Sequence, residues 1–327
     1  MQFEHGLGAQ ISPPDQRDYQ IAGAIPVSEV IFPREFIMPN KTGIEYYQGL
    51  TMECVAVAGM DLKVWQEFRN QKKIYDFSHD FLYVNRKIEQ PSYFLLSFEG
   101  MYLRDMYQNL KDVGICRRDL FPDINDEWYE GLKYINRDVL LEASNFKIAS
   151  YARCNNVNEI KAALMQPMPV GISIQVNSKL FGGYNSKLIH NDPDTTIYGN
   201  HMVNIYDWIV RDNVEYFVCK NWWKTTWGAM GGWFAIPTDS YINEAWATVD
   251  IIAQPKYWRI QCGAYRVKDN ATRMSIYLKN KGFSTFIVII NGLYKVQVGA
   301  YSIEANADKE RSKLIAAGIT DAFKTYY

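Results

Sequence analysis

Residues 200–233 read NHMVNIYDWIVRDNVEYFVCKNWWKTTWGAMGGW. Two runs in this stretch are rich in β-branched and aromatic residues, as is typical of strands: residues 201–210 and 214–220. The three residues between them, Arg211-Asp212-Asn213, predict a turn. In an antiparallel hairpin centred there, residues 201 and 221 lie nearly opposite each other. The stretch therefore predicts that His201 and Asn221 are neighbours, although they are 20 residues apart.

An earlier stretch predicts an amphipathic helix with a cysteine in its first turn, Cys54. Apolar side chains recur there at helical spacing, on the same face as the cysteine: Val57, Met60, Val64, Trp65 and Phe68. A nucleophilic thiol needs a base within hydrogen-bond reach and donors aimed at the developing oxyanion. His201 is the candidate base, and Asn221 would accept from its second ring nitrogen and fix the tautomer. The side-chain amide of Gln48 and the backbone N–H of Cys54 are the candidate oxyanion donors.

The composition excludes several function classes. The chain has 327 residues, and its 35 Lys and Arg nearly balance its 36 Asp and Glu, whereas a non-specific nucleic-acid binder should be clearly basic. The five cysteines stand alone, which excludes zinc ribbons and fingers and argues against a disulfide framework. Neither a GxxxxGK[ST] loop nor a helix-opening GxGxxG turn is present. We therefore expect no cofactor, no metal and no nucleic-acid partner.

The two ends of the chain carry different signals. The beginning has no basic region followed by an apolar one, and no stretch approaches 18 consecutive apolar residues, so neither a signal peptide nor membrane insertion is expected. The end contains a repeat with a period of 36 residues, in which residues 260–265 match residues 296–301. Each unit predicts a strand, a helix and a short strand after a glycine, with a turn at Asn291-Gly292 between the units. The repeat predicts a small sheet domain, with domains at 1–254 and 255–327.

The site-bearing stretches resemble papain-like cysteine peptidases. Gln48-Gly49 followed by Cys54-Val55-Ala56 resembles the glutamine and nucleophile segment of that family, and residues 200–203 resemble its catalytic-histidine strand. Residues 220–233 are similar to its KNSWGxxWGxxGY stretch. The resemblance covers about residues 8–252. It implies an α+β fold of two lobes, one helical and one rich in strands, with Cys54, His201 and Asn221 as catalytic residues and Gln48 at the oxyanion.

The resemblance also bears on substrate binding and regulation. Trp223 matches the aromatic residue that shields the Asn–His contact, and Gly100 lies in a segment similar to bacterial and phage members. Glu53 departs from the family pattern, since its carboxylate would oppose thiolate formation and reshape the wall beside the oxyanion donors. Glu53, Gly100 and Trp223 are therefore the predicted substrate-binding residues. Only 53 residues precede Cys54, which predicts that no propeptide of family length holds activity back.

The repeat resembles a SPOR domain over about residues 256–327, because the element (V/I)Q(V/C)GA(Y/F) occurs twice. This resemblance implies binding to bacterial peptidoglycan, particularly to glycan strands without stem peptides, and implies a βαββαβ domain. Arg259 and Gln261 share one strand face by alternation, as do Lys295 and Gln297, and such side chains on an open face suit sugar hydroxyls. These four are the predicted glycan-binding residues. The alternative is that the two glutamines are simply solvent-exposed strand residues.

These features together predict a hydrolase: a cysteine endopeptidase targeted to the bacterial cell wall. The favoured function is that of a phage or prophage endolysin, which cleaves peptide bonds of peptidoglycan and binds both its glycan strands and its stem peptides. Such a protein would accumulate in the host bacterial cytoplasm until lysis and then reach the cell wall. Two alternatives stay open: an envelope-associated protease acting on protein substrates, and a catalytically inactive wall-binding protein, which Met52-Glu53 before the thiol would allow.

Overall fold

The structure is a computed structural model. It describes residues 5–16, 18–86, 100–124, 128–182, 187–228, 230–249, 258–290, 293–301 and 304–326. The chain divides into two compact units, residues 1–251 and 252–327. The predicted domain boundary near residue 254 and the predicted turn at 291–292 lie outside the described residues. Among the helices of the described part, none combines the length and apolar character that crossing a membrane requires.

The first unit places its longest helix at its centre. Its helices are α1 Cys54–Gln71, α2 His79–Val84, α3 Leu103–Asp112, α4 Trp128–Gly131, α5 Arg137–Ala143, α6 Val157–Met165 and α7 Ser178–Phe181. The prediction that α1 has a single apolar face is wrong, since every residue from Cys54 to Glu67 is buried. The reason is that α1 contributes to two cores: Val57 and Met60 pack with α2 and α3, whereas Trp65 packs with residues of the sheet.

The second lobe of this unit is an antiparallel sheet of six strands. In chain order they are β3 Ser150–Arg153, β4 Val170–Asn177, β5 Ile197–Arg211, β6 Val214–Lys220, β7 Trp233–Pro237 and β8 Glu244–Val249. Their spatial order is β3-β8-β4-β5-β6-β7. Two further short strands, β1 Ala9–Gln10 and β2 Met101–Tyr102, pair in parallel outside this sheet. The central position of β5 explains why its residues 201–208 are buried.

The hairpin of β5 and β6 forms, but in a register that differs from the prediction. Arg211 pairs with Val214, so the turn has two residues, Asp212 and Asn213, and both have positive φ (51° and 62°). Asp and Asn tolerate this left-handed conformation, which a tight hairpin turn of matching twist requires. Beyond an irregularity after Ile205, Asn204 pairs with Lys220, and extending that register aligns position 201 with 223 rather than with 221.

The second unit repeats strand and helix as predicted. Its elements are β9 Trp258–Tyr265, α8 Lys268–Asn280, β10 Thr285–Ile290, β11 Leu293–Tyr301, α9 Glu304–Ala316 and β12 Phe323–Tyr326. The strands form an antiparallel sheet in the order β10-β11-β9-β12. Equivalent positions of the two repeats, Ile260 with Val296 and Leu278 with Leu314, fill its core. The predicted α+β class, with a helical lobe, a β-rich lobe and a final βαββαβ unit, is confirmed.

Candidate active site

His201 and Asn221 are in direct contact despite the altered register. Nε2 of His201 lies 2.7 Å from Oδ1 of Asn221, and both residues are buried. The same Oδ1 accepts a 2.8 Å hydrogen bond from the backbone N–H of Trp222, so it is an acceptor toward both neighbours. Nε2 must therefore donate, which leaves Nδ1 as the unprotonated nitrogen of a neutral ring. Nδ1 is the atom that can act as a base.

Trp223 covers this contact from one side. Its ring stacks on that of His201, with centroids 4.4 Å apart, and it is buried. On Trp223 a second imidazole, that of His5, stacks with centroids 4.8 Å apart and planes only 6° from parallel. An indole that excludes water strengthens the hydrogen bond between Asn221 and the imidazole of His201. The structure thus places Trp223 beside the histidine, where the family pattern puts its shielding aromatic residue.

Cys54 begins α1 and is fully buried. Burial raises the pKa of its thiol to about 11, and backbone hydrogen bonds from Met202 and Gly8 offset only part of that shift. Burial likewise lowers the pKa of His201 to about 3, against the opposing effect of its hydrogen bond with Asn221. Nδ1 of His201 has no hydrogen-bond partner among the described residues. In this conformation the thiol and the imidazole are both neutral.

The cause of this burial is a stretch near the start of the chain, residues 5–10, which we call the covering segment. The side-chain amide of Gln48 donates a 3.1 Å hydrogen bond to the carbonyl of Gly6. The carbonyl of Gly8 accepts one of 2.8 Å from the backbone of Met101, and β1 of the segment pairs with β2. The prediction concerned only a propeptide of family length, whereas in this conformation a short upstream segment covers the thiol. The segment is far shorter than a family propeptide, which is why a count of preceding residues missed it.

The three predicted substrate-binding residues lie in different places, and Trp223 is the one that stacks on His201. Gly100 lies against the covering segment: a Cβ there would be 2.5 Å from the carbonyl oxygen of Gly8, and its φ of 102° also favours glycine. Glu53 is buried, and its carboxylate lies 3.3 Å from Nε2 of His79. Glu53 and His79 line a cavity of about 410 Å³, and Gln48 forms part of the same wall. Sequence reasoning missed His79, because no motif connects it to Glu53.

A buried ion pair joins the helix that carries the thiol to the strand that precedes Asn221. Lys220 Nζ lies 2.7 Å from Asp61 Oδ1, and both side chains are at most 3% exposed. The other carboxylate oxygen of Asp61 accepts hydrogen bonds from Asn204 (3.0 Å) and the hydroxyl of Tyr206 (2.6 Å). Since Asp61 is on α1 and the other three residues are on β5 and β6, this network fixes Cys54 relative to His201 and Asn221.

In the second unit the four predicted glycan-binding residues share one face of the sheet, but the amides are not exposed. Gln261 and Gln297 are register partners and are 6% and 0% exposed, which excludes the alternative of simple solvent-exposed glutamines. Arg259 and Lys295 are half-buried. The cross-strand partners of the glutamines on this face are Phe323 and Phe286, and Phe323 is 49% exposed. The accessible groups are therefore the cations and an aromatic ring that the sequence pattern did not single out.

Two protein families match parts of this chain. Residues 103–251 match the papain family cysteine proteases, and residues 254–325 match the SPOR domain. The first range includes His201, Asn221 and Trp223, whereas Cys54 and Gln48 precede it. Among curated proteins, cathepsin Z of Onchocerca volvulus is 26% identical over 102 residues, which are 31% of this chain. The chain spans about a third (32%) of the length of that relative.

Solved structures share the fold of the first unit. Xylellain, a cysteine protease from Xylella fastidiosa, matches with a TM-score of 0.63 and 18% identity, over 77% of this chain and 98% of that one. Procathepsin B S9 from Trypanosoma congolense matches with a TM-score of 0.58 and 15% identity, over 75% and 86%. The chain therefore combines a papain-family cysteine protease domain with a C-terminal SPOR domain.

Proposed function

We propose that this chain is a cysteine endopeptidase that cleaves peptide bonds of bacterial peptidoglycan. One observation carries the proposal: the backbone carbonyl of Gly6 accepts a hydrogen bond from the side-chain amide of Gln48. This contact lies beside Cys54 and the His201–Asn221 pair. The space that the covering segment occupies, which we call the substrate groove, thus accepts a peptide whose carbonyl receives a hydrogen bond from Gln48. This is the placement that the attacked carbonyl of a substrate requires.

Each residue of the site has a separate role in the proposed hydrolysis of a peptide bond. When a substrate replaces the covering segment, Nδ1 of His201 takes the thiol proton and Sγ of Cys54 attacks the carbonyl carbon. The amide of Gln48 and the backbone N–H of Cys54 bind the oxyanion of the tetrahedral intermediate. His201 then gives its proton to the leaving amine, and water hydrolyses the thioester to a carboxylic acid and the free thiol. Asn221 holds the ring in the tautomer that has Nδ1 free.

The SPOR domain supports the choice of substrate. Its match supports binding to peptidoglycan, and a tethered binding domain raises the local concentration of the peptidase at the wall. We extend the proposal to the setting: a phage or prophage endolysin that accumulates in the cytoplasm of its host and acts on the wall after lysis. Fractionation of producing cells, before and after the membrane is permeabilised, tests that setting, since a wall-bound fraction in intact cells would contradict it.

A paired substrate assay separates the proposal from its alternatives. Purified sacculi and casein are each treated with the wild-type protein and with Cys54→Ala, after the covering segment has been removed by deleting residues 1–10. The proposal predicts loss of turbidity in the sacculi that depends on Cys54. Cleavage of casein with no effect on sacculi would favour an envelope protease. Binding to sacculi without cleavage of either substrate would favour an inactive wall-binding protein.

A further inference from the structure

A cluster of metal-ligating side chains lies one residue before the thiol and takes no part in the proposed chemistry. Glu53 immediately precedes α1, while His79 and Asp80 open α2. One ligand atom from each of the three residues lies within 4.8 Å of the other two. The cluster thus lies where the starts of α1 and α2 meet.

Two of the distances between ligand atoms in the cluster are close to those of a tetrahedral metal site. Nε2 of His79 is 3.3 Å from Oε2 of Glu53 and 3.8 Å from Oδ2 of Asp80. In a tetrahedral zinc site with ligand distances of about 2.0–2.2 Å, neighbouring ligand atoms are about 3.3–3.6 Å apart. His79 is therefore placed to share one ion with each carboxylate, and all three ligand atoms lie within 4.8 Å of one another.

The hydrogen bonding of the carboxylates points to a ligand independently. Glu53 and Asp80 are 1% and 4% exposed. Apart from the imidazole of His79, which belongs to the cluster itself, no described residue donates a hydrogen bond to either oxygen of Glu53 or to Oδ2 of Asp80. Buried carboxylates normally accept hydrogen bonds or bind a metal, because desolvating them otherwise costs free energy.

The guanidinium of Arg118 does not pair with these oxygens. Arg118 lines the same cavity of about 410 Å³, but its guanidinium is paired with Asp76 and Asp123. Three protein ligands leave the fourth position of a tetrahedral ion open. The three ligands line the cavity of about 410 Å³, and Gln48 lines it too.

We propose that Glu53, His79 and Asp80 bind a divalent cation of the zinc class at the wall of the substrate groove. One imidazole nitrogen and two carboxylate oxygens form a donor set that suits Zn²⁺. The ion would neutralise the carboxylate next to the nucleophile and fix the loop that joins Gln48 to Cys54. The inference concerns only these three residues and does not depend on peptidase activity.

The test is calorimetric titration of ZnCl₂ into the full-length chain carrying Cys54→Ala, after treatment with a chelator and dialysis. The Cys54→Ala background removes the thiol as a competing ligand. We expect one ion per chain and a rise in melting temperature with added zinc, since binding to the folded state stabilises it. Adding His79→Gln should weaken binding at least about tenfold, because loss of even an outer partner of a metal ligand costs 10- to 100-fold.

A matched control and a second variant separate loss of the metal site from other effects of mutation. His190→Gln removes an imidazole that is exposed and lies outside the cluster, and it should leave the affinity unchanged. If His79→Gln fails to fold, as judged by circular dichroism, Asp80→Asn provides the second test with the same expected loss of affinity. Binding that is unchanged in His79→Gln or Asp80→Asn would overturn the proposal. So would the absence of binding to the folded parent protein at millimolar zinc.

Discussion

The amide of Gln48 donates a 3.1 Å hydrogen bond to the carbonyl of Gly6, so the proposed oxyanion donor is occupied by the chain's own backbone. Residues after the covering segment are firmly held, since Ser12 donates from both its backbone and its hydroxyl to Glu244. The segment itself must leave the groove before a substrate can enter. Access to Cys54 therefore depends on a local opening equilibrium, which mutations in the segment should shift.

Gly8→Ala should expose the thiol. A Cβ at Gly8 would be 1.8 Å from the carbonyl oxygen of Met52, so the segment cannot keep its position. We expect alkylation of Cys54 by iodoacetamide to accelerate at least about tenfold, the effect of ~1.4 kcal/mol on the opening equilibrium. Peptide mapping by mass spectrometry measures the rate at Cys54. Gly23→Ala is the matched control, because no atom lies within 4 Å of the added Cβ. Equal rates in the two variants would show that the segment does not limit access.

The pH dependence of alkylation should also depend on the segment. The pKa of Cys54 is raised to about 11 because the thiol is buried, so the closed protein forms thiolate only at high pH. In the intact chain the alkylation rate should keep rising up to about pH 11. Deletion of residues 1–10 restores solvent and should move the midpoint to lower pH. The profiles of iodoacetamide labelling check this, and superimposable profiles would contradict the attribution of the shift to the segment.

Asn221→Ala should reduce turnover without abolishing folding. It removes the 2.7 Å contact that holds His201 in the tautomer with Nδ1 free. We expect kcat to fall about a hundredfold or more, within the usual range for impaired acid–base catalysis, with a smaller change in KM. Asn191→Ala, at an exposed asparagine, is the control. A change confined to KM would argue that Asn221 only shapes the groove.

Asp61→Ala should destabilise the first unit strongly. Removal of this carboxylate leaves the ammonium of Lys220 buried without its partner. The expected loss in the free energy of unfolding is about 3–5 kcal/mol, measured by urea denaturation. Asp239→Ala breaks an exposed pair with Lys187 and should cost less than about 1 kcal/mol. Similar losses in both variants would contradict the structural role of the buried network.

Arg259→Ala should weaken binding to the wall. Arg259 is on the predicted glycan-binding face, and the amides of that face are buried, so the cations and Phe323 are its accessible groups. Co-sedimentation of the full-length Cys54→Ala protein with stem-peptide-free sacculi should show reduced retention for Arg259→Ala. Lys279→Ala, at an exposed lysine of α8, should leave retention unchanged. Equal losses from both variants would indicate attraction by net charge alone.

Local sequence patterns predicted the strands and the helix that position the site. Alternation and turn residues located β5 and β6, and helical spacing placed Cys54 at the start of α1, because these signals arise from neighbouring residues. The exact register did not follow: Asn204 pairs with Lys220, which aligns position 201 with 223, two residues beyond the predicted partner. His201 and Asn221 still meet, because side-chain reach tolerates such a shift.

Contacts between distant segments could not be predicted in the same way. The packing of residues 5–10 over Cys54 depends on two glycines, Gly6 and Gly8, whose missing side chains allow close approach to the loop before α1. Hydrophobic periodicity gives no signal for a close contact between two such loop segments. The proximity of His79 to Glu53 is also a product of helix packing, because 26 residues separate them.

Mass spectrometry of peptidoglycan fragments tests the central claim most directly. Purified sacculi are digested with the protein lacking residues 1–10 and, in parallel, with the same protein carrying Cys54→Ala, and the soluble products are sequenced. The proposed function predicts stem peptides cut at a defined peptide bond, with a new amino terminus and a new carboxyl terminus, only in the digest by the intact site. Stem peptides that stay whole in both digests, while the folded protein remains bound to the sacculi, would contradict it.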